Sequence, residues 1–86
     1  MKIQKASGYK QEAFKISKLN YDKNQTAYTT NVGMGRAYSA LGKYKKALEY
    51  PNTALPLAPG ERSKNFITGM IEKLREGKDI NRIIND

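Results

Sequence analysis

Few residues in this 86-residue chain are equipped for covalent chemistry. It contains neither Cys nor His, which removes thiol nucleophiles, disulfides, Cys/His zinc sites and imidazole acid–base catalysis. Of its eight acidic residues, Glu72, Glu76 and Asp79 fall on what reads as an outer helical face, with no convergent partner. The glycine pairs at Ser7-Gly8 and Gly33-Met34-Gly35 do not make a phosphate cradle, because the second lies inside a helical pattern rather than between a strand and a helix. Neither catalysis nor any cofactor or metal is expected.

The remaining chemistry is recognition. The formal charge is +8, unevenly spread: residues 1–24 hold six Lys against Glu12 and Asp22. Residues 25–60 hold Arg36, Lys43, Lys45 and Lys46 against Glu49, and the last third is nearly balanced. Such a distribution favours acidic partners, or simply keeps a small protein solvated. Nucleic acid is the alternative partner, through the Lys-rich first helix and the KYKK run of residues 43–46, with Tyr9, Tyr21 and Tyr44 available to stack on bases. No recognised nucleic-acid motif accompanies these residues.

The elements that must position these groups are helical. The pattern predicts a frayed lead-in to about Ser7, then a basic helix over residues 9–20 with Ala13, Ile16 and Phe14 turned inward. A polar turn, NYDKNQ, leads to a second helix over residues 26–41, with Met34, Tyr38 and Leu41 on one face and Thr29, Val32 and Arg36 on a neighbouring one. Gly42 reads as its left-handed cap. The third helix, from Lys43, should stop near Tyr50, because Pro51 cannot donate to the Ala47 carbonyl and costs about 3 kcal/mol inside a helix. A kinked continuation is the alternative. NTALPLAPG then reads as irregular or 3₁₀-like, burying Ala54, Leu55 and Leu57. Glu61 to about Glu76 forms the fourth helix, ended by Gly77, and KDINRIIND opens a fifth with Ile80, Ile83 and Ile84 as an apolar stripe. One domain is all this length allows. No apolar run reaches the roughly 18 residues a membrane span needs, and the N-terminus lacks a secretory pattern, so the expected location is the cytoplasm.

Sliding the sequence by 34 residues places Gly8 on Gly42, Ala13 on Ala47, Phe14 on Leu48 and Gly35 on Gly69. A fixed period of that length marks stacked helical hairpins, so the fold class expected is all-α, with antiparallel hairpins stacked as a short α-solenoid. Met34, Gly35 and Tyr38, the turn residues Gly42 and Tyr44, then Ala47, Leu48, Ala54, Leu55 and the terminating Pro59 resemble the tetratricopeptide repeat (TPR) family. Gly35 and Ala47 would let two helices approach closely, with Tyr38 and Leu48 filling the seam. Residues 28–61 would be a full repeat, 8–27 the second half of a preceding one, and 62–86 a partial or capping unit. Asn31 and Pro51 depart from the family, each standing where it favours an aromatic.

The resemblance implies a groove lined by the first helix of each unit and a non-catalytic role in binding a peptide or partner protein. Its residues would be Thr29, Val32, Arg36, Ser39 and Ala40, then Ser63, Phe66, Met70, Lys73 and Leu74. Phe66 and Met70 would bury an apolar side chain, and Arg36 and Lys73 would pair with acidic groups. The plainer reading makes Phe66 and Met70 core residues and the two cations solvated surface. One subgroup of the family clamps a C-terminal carboxylate with polar and cationic groups where this chain has Val32, Gly33 and Ile67, so that clamp is not expected. Bare apolar faces at both ends of so short an array imply a homo-oligomer, a scaffold, or a piece of a longer array, with Ile80, Ile83 and Ile84 as the adhesive edge.

Overall fold

The computed structural model describes residues 2–81, with side chains from residue 9 onward, and every regular element within them is helical. In order these are α1 (Lys2–Lys23), α2 (Tyr28–Ala40), α3 (Tyr44–Ala54), a 3₁₀ turn (Leu55–Leu57) and α4 (Glu61–Arg75). Successive helices pack on one another, α1 on α2, α2 on α3 and α3 on α4. The main core gathers Ala47, Ala54, Ile67, Met70, Ile71, Leu74 and Ile80, with Tyr28, Val32, Tyr38, Tyr44, Leu48 and Leu55 packed around it.

The hairpin of α2 and α3 turns at Gly42, whose φ of 79° suits only a residue without a side chain. Here Leu41 and Lys43 N–H both donate to the Tyr38 carbonyl and Gly42 N–H to that of Ser39, satisfying the carbonyls that a helix end leaves open. The same three bonds close α4: Glu76 and Lys78 N–H reach the Lys73 carbonyl and Gly77 N–H that of Leu74, with Gly77 at φ 75°.

Pro51 does not end α3. The helix runs through it to Ala54, and the Leu55 N–H donates back to the Pro51 carbonyl, so regular bonding resumes one turn later. The expected stop near Tyr50 is therefore corrected, and the reason lies on the neighbouring helix. A side chain on Gly35 would place its Cβ 3.1 Å from Pro51 Cδ and 3.6 Å from the Ala47 oxygen. With no Cβ at Gly35, the pyrrolidine ring fits into α2 and is buried. Close packing offsets the lost hydrogen bond. The second proline needs no such help, since Pro56 sits in the first turn of the 3₁₀ segment, where its missing N–H costs little.

Helix α1 is longer than the pattern suggests and is rotated from the expected face. Ala13 is exposed and Ile16 is 58% exposed, while Phe14, Ser17 and Tyr21 turn toward the bundle. Aromatic stacking decides this: Phe14 meets Tyr38 edge-on at 4.8 Å, Tyr21 meets Tyr50 edge-on at 5.4 Å, and Tyr38 stacks on Tyr50 at 5.6 Å. Two large rings at i and i+7 bury more apolar area than Ala and Ile could. Asn31, standing where the TPR pattern favours an aromatic, is buried, and its Nδ2 donates to the Gln25 and Ala27 carbonyls, tying the preceding loop to α2. Residues 78–81 are not helical, so the expected fifth helix does not begin there; Ile83 and Ile84 lie outside the described residues.

Two outcomes follow for stability. Gly35→Leu drives a side chain into Pro51 and Ala47 and should lower the melting temperature by several degrees, corresponding to about 1–3 kcal/mol of overpacking. Gly33→Ala, where an added Cβ meets nothing within 4 Å, should raise it, the gain in helix propensity stabilising the fold by about 1 kcal/mol at most. Separately, burial first and then the neighbouring Tyr38 and Tyr21 push the Tyr50 hydroxyl from 10.0 up to about 12. Because the folded value is the higher one, the associated stability is whole below pH 10 and lost as pH rises towards about 12. Tyr50→Phe should flatten that alkaline decline in thermal melts.

Candidate functional site

Between α2 and α4 lies an apolar cavity of about 260 Å³, lined by Arg36, Asn65, Phe66, Gly69, Met70, Lys73 and Ile80. Its floor comes from α4, where Phe66, Met70 and Lys73 recur at helical spacing and so share one side. Met70 is buried, Phe66 is 44% exposed and Lys73 is exposed, so the wall grades from core to solvent. Arg36 closes the opposite side from α2.

The remaining wall is a strap. After Gly77 the chain reverses and residues 78–81 fold back across the end of α2, held by side-chain bonds rather than by regular structure. Ser39, buried on α2, donates its Oγ–H to Asp79 Oδ1 at 2.8 Å and accepts from the Ile80 N–H at 3.0 Å. Asp79 Oδ1 also accepts from the backbone N–H and the side-chain Nδ2 of Asn81. Asn81 Nδ2 donates to the Arg36 carbonyl at 2.9 Å, and Arg36 Nε donates to Asn81 Oδ1 at 3.2 Å. These bonds orient the guanidinium root beside the cavity and leave the Nη groups without a carboxylate partner among the described residues. Lys73 likewise has no ion pair among them. Burial alone would raise the Asp79 carboxyl, but the bonds from Asn81 and Ser39, with Lys10 nearby, outweigh it and hold it below its ordinary 3.8.

Of the ten residues expected to line a groove, Arg36, Phe66, Met70 and Lys73 meet at this cavity. The other six, Ala40 and Ser63 among them, do not line it. Thr29 lines a separate, more polar cleft between α1 and α2 with Ser17, Asn20, Lys23, Thr30 and Gly33. Val32 packs half-buried against the core. Ser39 is buried and committed to the strap. Leu74, also expected in the groove, is core. Ile80, expected as part of an adhesive edge, is only 3% exposed because Ser39 holds its backbone against α2. Of the tyrosines offered for base stacking, Tyr21 is engaged with Tyr50 and Tyr44 packs against the core, while Tyr9 is exposed.

Sequence reasoning missed Asp79 and Asn81, placing the former on an outer face. A signal was present: an Asp two residues before Asn, just after a helix-ending glycine, is the pattern of a side-chain-closed turn.

Among the described residues no group of three or more acidic side chains could hold a metal ion, and no helix is long and apolar enough to cross a membrane. No family model, curated protein or solved structure matches this chain.

The strap predicts an acid response. Since Asp79 titrates lower when folded, its contribution is present above pH 3.8 and lost as pH falls below that value. Asp79→Asn should lower the melting temperature near neutral pH and make its fall between about pH 5 and 2 shallower than in the parent chain.

Proposed function

We propose that this chain is a non-catalytic protein-interaction module of the TPR kind, holding a peptide segment of a partner protein between α2 and α4. The observation that carries this reading is the convergence of Arg36, Phe66, Met70 and Lys73 on one apolar cavity flanked by cations. At about 260 Å³ the space suits one bulky apolar side chain rather than a drug-sized ligand, whose pockets run from about 300 Å³ upward. An acidic group beside that side chain then meets Arg36 and Lys73, and the basic chain draws such a segment in.

Support for a repeat architecture comes from three features. The same hydrogen-bonded glycine turn occurs at Gly42 and Gly77. Gly35 and Ala47 are small where α2 and α3 approach, as the family requires. Helices joined by short turns also pack in sequence, as stacked hairpins of a short solenoid do. The turns are 35 residues apart rather than 34, so Gly69 does not repeat the role of Gly35. An added Cβ at Gly69 meets open space, and that residue lines the cavity instead.

A labelled synthetic peptide, a run of Glu and Asp around a single Leu, tests the reading by fluorescence anisotropy. Binding should weaken about tenfold or more in Arg36→Ala and in Phe66→Ala, and should fall with added salt. An oligonucleotide of equal charge should displace the peptide poorly. Unchanged binding in both variants, or efficient displacement by the oligonucleotide, would overturn the reading.

A further inference from the structure

Helix α1 carries apolar residues on both of its sides, and only one side is covered. Phe14 and Tyr21 face the bundle, where Tyr38 and Tyr50 receive them. On the side turned away, Tyr9, Ile16 and Leu19 are 78%, 58% and 60% exposed, three of the five large apolar side chains exposed among the described residues. Spacings of seven and three put them on one helical face. Scattered singly they would need no explanation, but they are aligned along one helix.

The charges of the same helix are the second observation. Residues 1–24 hold six Lys against Glu12 and Asp22, a net +4. Lys2 and Lys5 continue the three-and-four spacing of Tyr9, Glu12, Ile16 and Leu19 toward the start of the helix, and Lys15 lies one turn before Leu19. Asp22 is engaged by Lys18 at 3.2 Å, and Lys23 turns to the cleft between α1 and α2. Glu12 is the one acid on the line itself.

We propose that this face of α1 docks on an anionic lipid bilayer, with the helix lying flat on the surface. A bilayer supplies both things the face asks for: negative headgroups for the lysines and, just beneath them, an apolar layer for Ile16 and Leu19. Tyr9 has the amphipathic ring that settles at that boundary. Lysine stems lie along such a surface while their ammonium groups stay at headgroup level. A nucleic acid matches the charge alone, since bases stack on aromatic rings and Ile16 and Leu19 offer none. A second copy would bring two basic helices together, which like-charge repulsion opposes. The cavity is lined by α2, α4 and the strap, so attachment through α1 leaves it available. Three apolar side chains and a few lysines make the attachment weak and reversible, dependent on anionic lipid and loosened by salt.

Flotation of the full chain tests it, with vesicles of phosphatidylcholine alone and of phosphatidylcholine mixed with phosphatidylglycerol. The parent should float with the mixed vesicles only, and should be released as salt is added. Ile16→Ser with Leu19→Ser should lower the partition coefficient about tenfold or more, and so should Lys5→Glu with Lys15→Glu. Glu12→Gln, which removes the acid from the middle of the face, should raise it about threefold or more. Melting curves without lipid should stay close to the parent's for changes at positions 12, 16 and 19, which are exposed, separating loss of the surface from loss of the fold. No flotation, or equal flotation with both kinds of vesicle, would overturn the proposal. Binding that ignores Ile16→Ser with Leu19→Ser would overturn it too, by reducing the attraction to net charge. So would an oligonucleotide that binds the parent more tightly than the mixed vesicles do, or a dimer in sedimentation that the serine variant loses, because each names another occupant.

Discussion

The contact between Gly35 and Pro51 is the constraint on which the rest depends. A proline inside a helix removes one hydrogen bond and demands room for its ring, and both demands fall at the seam between α2 and α3. Because Gly35 has no Cβ, the ring can enter that seam, and α3 reaches Ala54 instead of fraying at Tyr50. The extra turn brings Ala54 into the core beside Ala47 and gives α4 a continuous surface to pack on. A void that size-matched residues fill is worth more than the bond the proline forfeits, since interiors gain from contact density as well as from hydrogen bonding.

The cavity inherits its geometry from that packing. Its floor is one helix and its far wall a second, so Phe66, Met70 and Arg36 are positioned by regular backbone. The strap of residues 78–81 has no regular structure and relies on one buried hydroxyl, Ser39, to join Asp79 and the Ile80 N–H to α2. A small polar network with every member satisfied can order a short segment that propensity alone would leave loose. Its fixed carboxylate also explains why a residue with an outer-face pattern turns inward here.

Charge is unevenly spread along the molecule, six of the sixteen Lys and Arg residues falling within residues 1–24. Net charge alone would not have singled out Arg36 and Lys73; only the placement of individual residues sets these two beside apolar surface.

Sequence by itself determined that the chain is helical and where two of its helices end: Gly42 and Gly77 stop α2 and α4 because only glycine takes the left-handed turn cheaply, and α4 follows from its apolar spacing. These are local effects, set within one or two turns of chain. It also brought Arg36, Phe66, Met70 and Lys73 under suspicion, through the groove that the resemblance to the TPR pattern implies. Tertiary structure decided what depends on a neighbour: that Pro51 is tolerated, because the glycine facing it comes from another helix; that α1 turns its aromatics inward, because Tyr38 and Tyr50 are there to receive them; and that Ser39 anchors a strap instead of lining a groove, because Asp79 returns to it from 40 residues away. No one-dimensional pattern encodes such pairings, since the energy of each resides in the contact and neither partner carries it alone.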